Sequence, residues 1–455
     1  MIRQEYNNNI RDMNTTISLH DRVETKTLLG YCFQHKMITA TKTMSGKSVE
    51  VLDPGLRNRH EGPDFFNAKL NIGKWLWVCN VVILGKSSEW IKNGYDKNHN
   101  YDNVCLVICG EFDSFIQNSK GETIDVVCEE IPEKVRSNYQ DLLANAGYEH
   151  PACYKVIPDL SPLKVHAWLA AMQTERLENK TSHIRDIHTD TKSWDKAFFM
   201  TLARSFGFGY NGDIFEKWAE SLPLDSVNRH RDDLFQVEAF FLGQAGLLEL
   251  STIPEKFQEK ALNEGYFAKL RNEYLYLQHK YSLQPINGSE WNMKGLTPQN
   301  YPHIRISQMA NLYYTYKAEV KAVINCENIK EVENKLHTHA TPYWFTHYTF
   351  GAMEKDRKEK NLSPTSINSL MINAVVPFLF TYGRYAHKEI LCDNAFDYLE
   401  QLKAENNAVT KQWERVGIKV KSAGDSQALI QMKHHYCNKR DCLRCRFGHE
   451  YITQN

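Results

Sequence analysis

Hydrophobic positions change their period once along this chain. From about Thr25 to Val127 they recur every second residue or run together in short blocks. Val49-Glu50-Val51 and Lys69-Leu70-Asn71-Ile72 alternate, as strands with one buried face do. Trp75–Leu84 and Val104–Cys109 are nearly continuous apolar runs, which predicts strands covered on both faces. Gly55, Gly62-Pro63, Gly73, Gly94 and Gly121 punctuate these runs as turns. After Ile131-Pro132 the spacing becomes helical. Ser161-Pro162 supplies an N-cap and a first-turn proline for a helix reaching to Lys180. Helical periodicity recurs over Trp194–Phe206, Leu234–Leu248, Phe267–His279, Ile304–Tyr316 and Ser369–Tyr382, with prolines between the segments. The charged run Glu354–Lys360 reads as a solvated helix face or loop.

This pattern predicts an α+β fold. Residues 1–24 are a polar lead-in, 25–150 a strand-rich domain, 151–423 a helical domain, and 424–455 a helix started at Asp425 plus a Cys-rich tail. The longest apolar stretch, around Ile372–Phe380, contains Asn373 and Pro377 and falls short of the ~20 residues a bilayer requires.

Composition narrows the function classes. Lys+Arg and Asp+Glu both number 55 in 455 residues, so neither a basic nucleic-acid coat nor an acidic solvating tail describes the whole chain. Hydrophobic residues at 42 % and charged residues at 24 % exclude wholesale disorder. The start lacks an apolar signal-like segment, which predicts a cytoplasmic protein without a membrane partner. The 11 cysteines are an odd number, and Cys79, Cys105, Cys109 and Cys128 sit singly among strand residues, where free thiols behave as small hydrophobes.

Two segments carry candidate chemistry. Gly62-Pro63-Asp64 is an acid at a turn, followed by the strand Trp75–Leu84 and then Lys86. That is the skeleton of a metal-dependent nuclease site, in which carboxylates hold Mg²⁺ and a Lys orients the attacking water. The plainer reading is a turn-stabilising Asp64 and a solvent-facing Lys86. The second segment is Cys437-x4-Cys442-x2-Cys445, with His449 four residues on and His434-His435 upstream. Three thiolates and an imidazole would complete a structural Zn²⁺ site, while three thiolates with a distant Cys would hold an iron–sulfur cluster. Lys433, Lys439, Arg440, Arg444 and Arg446 against Asp441 make this tail basic and suited to nucleic-acid phosphates.

Tyr313-Tyr314, Tyr343-Trp344-Phe345 and His347-Tyr348 fit core packing better than base stacking. Arg305 and Glu238, charges within apolar helices, are expected in buried ion pairs. No Gly-rich phosphate loop, Ser elbow or His-Glu-x-x-His helix is present.

Several strings taken in order carry a resemblance. They are Gly62-Pro63-Asp64-Phe65-x-Asn67-Ala68, Ser88-Glu89-Trp90, Tyr101-Asp102-Asn103-Val104, Glu175-Arg176-Leu177-Glu178-x-Lys180 and Phe206-Gly207-Phe208. Gly243-Gln244-Ala245-Gly246-Leu247, Pro298-x-Asn300-Tyr301-Pro302-x-Ile304-Arg305, Pro377-Phe378-Leu379-Phe380-x-Tyr382-Gly383 and the tail cysteines complete the set. Over roughly residues 25–450 the chain resembles an uncharacterised bacterial family, the domain of unknown function DUF2851. The N-terminal part is similar to the PD-(D/E)xK, restriction-endonuclease-like fold. That resemblance implies a strand reading Val-Glu-Ile-His; Val81-Val82-Ile83-Leu84 stands there instead, and Val107 replaces a further expected His. Asp64 and Lys86 are then vestigial and Mg²⁺ is not expected, unless Glu50, Glu61 or Glu89 has moved in as a substitute. The implied function is a catalytically degenerate nuclease-like protein acting as a binding or scaffold module, with nucleic acid as a partner. The rivals are an active Mg²⁺-dependent nuclease using Asp64 and migrated acids, and a purely structural or protein-interaction protein.

Overall fold

The computed structural model describes residues 24–145, 147, 149–317 and 319–454; the lead-in 1–24 lies almost wholly outside them. The architecture is mixed α+β, a strand-rich sheet region followed by a mostly helical region. Two compact units divide the chain. One comprises residues up to Asp159 together with Tyr436–Asn455, and the other comprises Leu160–His435.

The first unit is built on one mixed sheet. Its strands are β1 (Val49–Asp53), β2 (Leu56–Arg57), β3 (Phe65–Ile72), β4 (Trp75–Lys86), β5 (Val104–Glu111) and β6 (Asp125–Cys128). The order is β1-β3-β4-β5-β6, with β2 also on β3. β3 runs antiparallel to β1, β2 and β4, whereas β4, β5 and β6 run parallel. The alternation of side chains explains both layers. Val81, Ile83, Leu106 and Ile108 face Leu29 and Phe33 of the helix 24–34, while Val82, Leu84, Val107 and Cys109 face Trp90, Tyr101 and Ile116. Only the second half of β4 is covered on both faces as its apolar run predicts. Trp75, Leu76, Trp77 and Val78 are 73, 62, 46 and 62 % exposed, because β5 begins opposite Asn80 and the strand overruns its neighbour.

That same register corrects the expectation for two cysteines. Cys79 and Cys105 lie on adjacent strands with Cα atoms 5.9 Å apart and are joined as a disulfide. Cys109 and Cys128 remain free thiols.

The second unit packs around a large apolar cluster from Leu177 to Ala423. Ser161 caps the helix Pro162–Thr191 by accepting from the Lys164 N–H, and the helix runs well past Lys180. The helices Trp194–Phe206, Leu234–Gln244, Tyr266–Tyr281 and Pro302–Tyr316 fall where the periodicity places them. Pro364–Tyr385 is one continuous helical stretch rather than a short interrupted run, because a π turn at Met371–Val375 carries it past Pro377. By length and composition it is the one helix among the described residues that could cross a membrane, and 72 % of its most apolar 18-residue window is buried inside the protein. The run 354–360 is a loop, yet Lys360 is not solvated: its ammonium donates to the Trp344 and His347 carbonyls at 2.6 Å each and to Glu354 at 2.7 Å.

Candidate functional site

The turn that delivers Asp64 is organised by Asn58. Its amide donates to the carbonyls of His60, Glu61 and Pro63, and its oxygen accepts from the His60 N–H. Asp64 therefore enters β3 in a fixed position, and its Oδ2 accepts from the Ile83 backbone N–H of β4 at 2.9 Å. The turn acid and the later strand do meet. The cation beside Asp64 is Lys26, from the helix 24–34, with Nζ 3.3 Å from Oδ1. Lys86 instead pairs with Glu111 at 2.6 Å. Val82 and Leu84 are each 1 % exposed and belong to the apolar layer with Trp90 and Tyr101. Of the acids that could substitute, Glu89 accepts from the Gly85 N–H at 3.0 Å and Glu50 from Asn71 at 2.8 Å. Among the described residues no group of three or more His, Cys, Asp or Glu is set to hold a metal ion. Asp64, Lys86, Glu89 and Glu50 thus each have a partner within the protein.

In the tail, His449 is engaged at one ring nitrogen. His449 Nδ1 is 2.7 Å from the Tyr31 hydroxyl, and the ring stacks on His35 at 4.2 Å. Arg444 pairs with Asp441 at 2.6 Å and lies over the Tyr436 ring, which uses part of the basic excess internally. Cys437, Cys442 and Cys445 are free of disulfides.

A different arrangement appears in the helical unit. A cleft of about 1050 Å³ is lined by Lys180, Arg204, Gly207, Phe208, Asn300 and Arg305 among others. Four of the recognised strings, those holding Lys180, Phe208, Arg305 and Pro377, thus open onto one cavity, although no spacing in the sequence brings them together. The expected ion pairs of Arg305 and Glu238 are not made. Arg305 is 7 % exposed and donates to Asn300 at 2.6 Å and Gln308 at 3.0 Å, its guanidinium lying 4.4 Å from the Phe208 ring centroid. Its Nε has no acceptor. Burial pushes this guanidinium down to about 10. Glu238, 1 % exposed, is satisfied by neutral donors: the Tyr266 hydroxyl, Thr341 Oγ1 and the Trp344 indole N–H. Neutral hydrogen-bonding groups replace a counter-ion at both sites.

Lys180, half-buried, lines the same cleft, its Nζ 3.0 Å from Asn373 Oδ1 on the π turn. Burial first and Arg176 second push its ammonium down to about 7, and Glu405 pulls the other way. At the rim, Arg204 and His183 share Glu216, and Arg204 also pairs with Asp213 at 2.7 Å. Among the described residues, Lys180 and Arg305 make no ion pair within 4.0 Å. A desolvated cation whose hydrogen-bond partners are neutral is costly to keep charged. Planar, bidentate Arg and point-charge Lys together suit phosphate oxygens.

A family model described as "Protein of unknown function (DUF2851)" matches residues 26–408. No curated protein matches the chain, and no solved structure does.

Proposed function

The chain belongs to the DUF2851 family, whose description names no activity, and from the sequence resemblance together with the geometry we propose that it is a nuclease-like module that binds nucleic acid without cleaving it. The observation that carries this reading is the filling of the β4 face. Where the nuclease-like resemblance calls for an acid and an imidazole, Val82 and Leu84 are buried at 1 % each. Burying two such side chains contributes about 1.5–3 kcal/mol apiece, so the face serves packing rather than metal binding. Asp64 is left with a backbone N–H and Lys26 as partners, and a lone carboxylate already so engaged does not assemble a Mg²⁺ site.

Binding is supported by the cleft of the helical unit. Lys180 and Arg305 supply positive charge in a desolvated setting, and Phe208 offers an aromatic face beside Arg305. Backbone phosphates would satisfy those cations without any requirement for base sequence.

The test is a salt titration of labelled single-stranded and duplex DNA and RNA against the full chain, with and without Mg²⁺. We expect binding that weakens linearly in log salt, and no product on a denaturing gel. Mg²⁺-dependent cleavage would support the active-nuclease rival, and the lack of any shift at low salt would leave a structural or protein-interaction role.

A further inference from the structure

Between the helices Trp194–Phe206 and Gly212–Ser221 the chain reads Gly207-Phe208-Gly209-Tyr210-Asn211-Gly212. No strand precedes this Gly-x-Gly-x-x-Gly string, so it is not the fingerprint of a dinucleotide-binding fold. The fold nevertheless gives it the two features by which glycine loops hold phosphates, a tight turn and an open helix N-terminus. Phe208 and Gly209 both lie in the left-handed region, at φ 43° and 84°. A Cβ at Gly207 would stand 2.4 Å from the Gly212 nitrogen, so only glycine lets the loop close onto the start of the next helix.

That helix start is left without a cap. Asn211 occupies the N-cap position, and its residue type ordinarily accepts there from the first turn. Here its amide donates to the Asn292 carbonyl at 2.9 Å, and its oxygen accepts from the Asn292 N–H at 2.8 Å. Among the described residues, the N–H groups of Gly212, Asp213 and Ile214 then have no acceptor. All three residues line the cleft, so a helix of 10 residues turns its donors and the positive end of its dipole toward it.

A second, independent observation points to the same place. Arg305, on the helix Pro302–Tyr316, is 7 % exposed, and its guanidinium lies 4.4 Å from the Phe208 ring centroid. Asn300 and Gln308 orient its terminal nitrogens, while its buried Nε has no acceptor. The left-handed backbone at Phe208, which a bulky residue rarely adopts, lays the ring against this cation. Lys180 lines the same cleft. The acids of the wall are engaged elsewhere, Asp213 with Arg204 at 2.7 Å and Glu405 with Gln427.

We propose that the helix start at Gly212 and the Arg305 guanidinium together seat a terminal phosphate monoester, carried by the end of a single strand. This rests on the reading of the cleft as a nucleic-acid site and narrows its ligand. A monoester brings about 1.5–2 negative charges and three free oxygens, more than an internal phosphodiester offers to open N–H groups and two cations. Depth favours an end as well. An internal phosphate must bring chain down on both sides of it, and a duplex carries its phosphates on a rigid convex surface. Neither reaches a guanidinium 7 % exposed as readily as a strand end does. The cleft of about 1050 Å³ is close to the upper end of pockets that enclose one small ligand, ~1,000 Å³.

The test measures binding of the full chain to one single-stranded oligonucleotide carrying a 5′-phosphate, a 3′-phosphate or only hydroxyl ends. One phosphorylated end should bind at least about tenfold tighter than the hydroxyl strand, and millimolar inorganic phosphate should erase that preference. Gly209→Asp adds a carboxylate to the loop beside the open helix start, at a left-handed position that Asp tolerates and with no atom within 4 Å of its Cβ. That variant should bind phosphorylated and hydroxyl strands equally, whereas Gly209→Asn should keep the preference. Should Gly209→Asp fail to fold, the phosphate competition on wild type decides the matter. A mononucleotide that binds as tightly as the phosphorylated strand supports the seat and makes a free nucleotide its source. Equal binding of phosphorylated and hydroxyl strands by wild type, or a preference that survives in folded Gly209→Asp, overturns the seat and leaves the cleft a nucleic-acid site. No binding of any strand or nucleotide overturns both.

Discussion

The Asp64 corner looks like a site in the sequence and the Lys180–Arg305 cleft does not, and the fold treats their charges in opposite ways. At Asp64 one carboxylate oxygen takes a backbone N–H, the other faces Lys26, and the flanking strand positions are buried aliphatics. In the cleft, Lys180 and Arg305 are held by Asn373, Asn300 and Gln308, all neutral. A corner whose charges are answered internally has finished its work in folding. In the cleft the cations' hydrogen-bond partners are neutral, and on the proposed reading a ligand of opposite sign completes them. The residues that look catalytic belong to the first kind. Those that read as core charges belong to the second.

The largest effect should come from forcing chemistry back into the closed corner. Val82→Glu with Leu84→His places two ionisable groups in a layer lined by Trp90, Tyr101 and Val107. Without metal or solvent to receive them, the cost should be about 3–6 kcal/mol, or loss of folding in the N-terminal unit. Urea denaturation followed by tryptophan fluorescence measures it. An unchanged midpoint would mean that the face is not the closed apolar layer described here.

Next comes the cleft. Arg305→Met removes a buried cation and keeps most of the volume. Stability should be unchanged or slightly raised, because a desolvated charge is replaced by an apolar side chain. Nucleic-acid affinity should fall roughly ten- to a hundredfold, corresponding to ~1.5–3 kcal/mol for a charge-assisted contact. The salt slope should drop by about one phosphate contact. Opposite signs for stability and binding are what separate a ligand-seeking charge from a structural one. A variant that loses both together would put Arg305 with Asp64.

The sequence shows the elements better than it shows these contrasts. Trp194–Phe206 is bounded as its periodicity predicts, and Ser161-Pro162 does start a helix. Both are local signals, carried by residues three or four apart. The exposure of Trp75–Val78 is not local: it depends on where β5 begins relative to β4. The Cys79–Cys105 bridge follows from the same parallel register. Lys26 and the meeting of Lys180, Phe208 and Arg305 are likewise products of tertiary packing, which no spacing encodes. Glu238 and Arg305 were legible as buried charges but not as charges with neutral partners, because Tyr266, Thr341, Asn300 and Gln308 carry no charge pattern to betray them.

A smaller, pH-dependent effect should distinguish Lys180. Its ammonium titrates near 7 in the folded chain against an ordinary 10.5. Between those values the unfolded chain binds more protons than the folded one, so this residue's contribution to stability improves as pH rises from about 7 to 10.5. Below about 7 both states are protonated and the burial penalty stands in full. Lys180→Met should flatten that part of the stability profile. An anion in the cleft reverses the preference by favouring the charged amine, so affinity should weaken as pH climbs through 7 in wild type, and less so in Lys180→Met. Arg176, Glu405 and the rim pair His183–Glu216 are the other charged groups to be held in mind. Identical pH profiles in the two proteins would remove Lys180 from the binding site.

The smallest effect belongs to Asp64 itself. Asp64→Asn keeps an oxygen for the Ile83 N–H and gives up only the half-exposed pairing with Lys26, whose side chain is 42 % exposed. Exposed ion pairs contribute ~0–1 kcal/mol, so the melting temperature should move little. Nucleic-acid affinity should not move at all, since the cleft lies in a unit to which Asp64 does not belong. Millimolar Mg²⁺ should leave the melting temperature of wild type and Asp64→Asn alike unchanged. The reason is geometric: with one oxygen on a backbone N–H, the other facing an ammonium, and aliphatic side chains at Val82 and Leu84, a divalent ion would meet one occupied carboxylate where it needs several oxygens. Mg²⁺ stabilisation present in wild type and abolished in Asp64→Asn would break the comparison, because it would make the closed corner a working metal site.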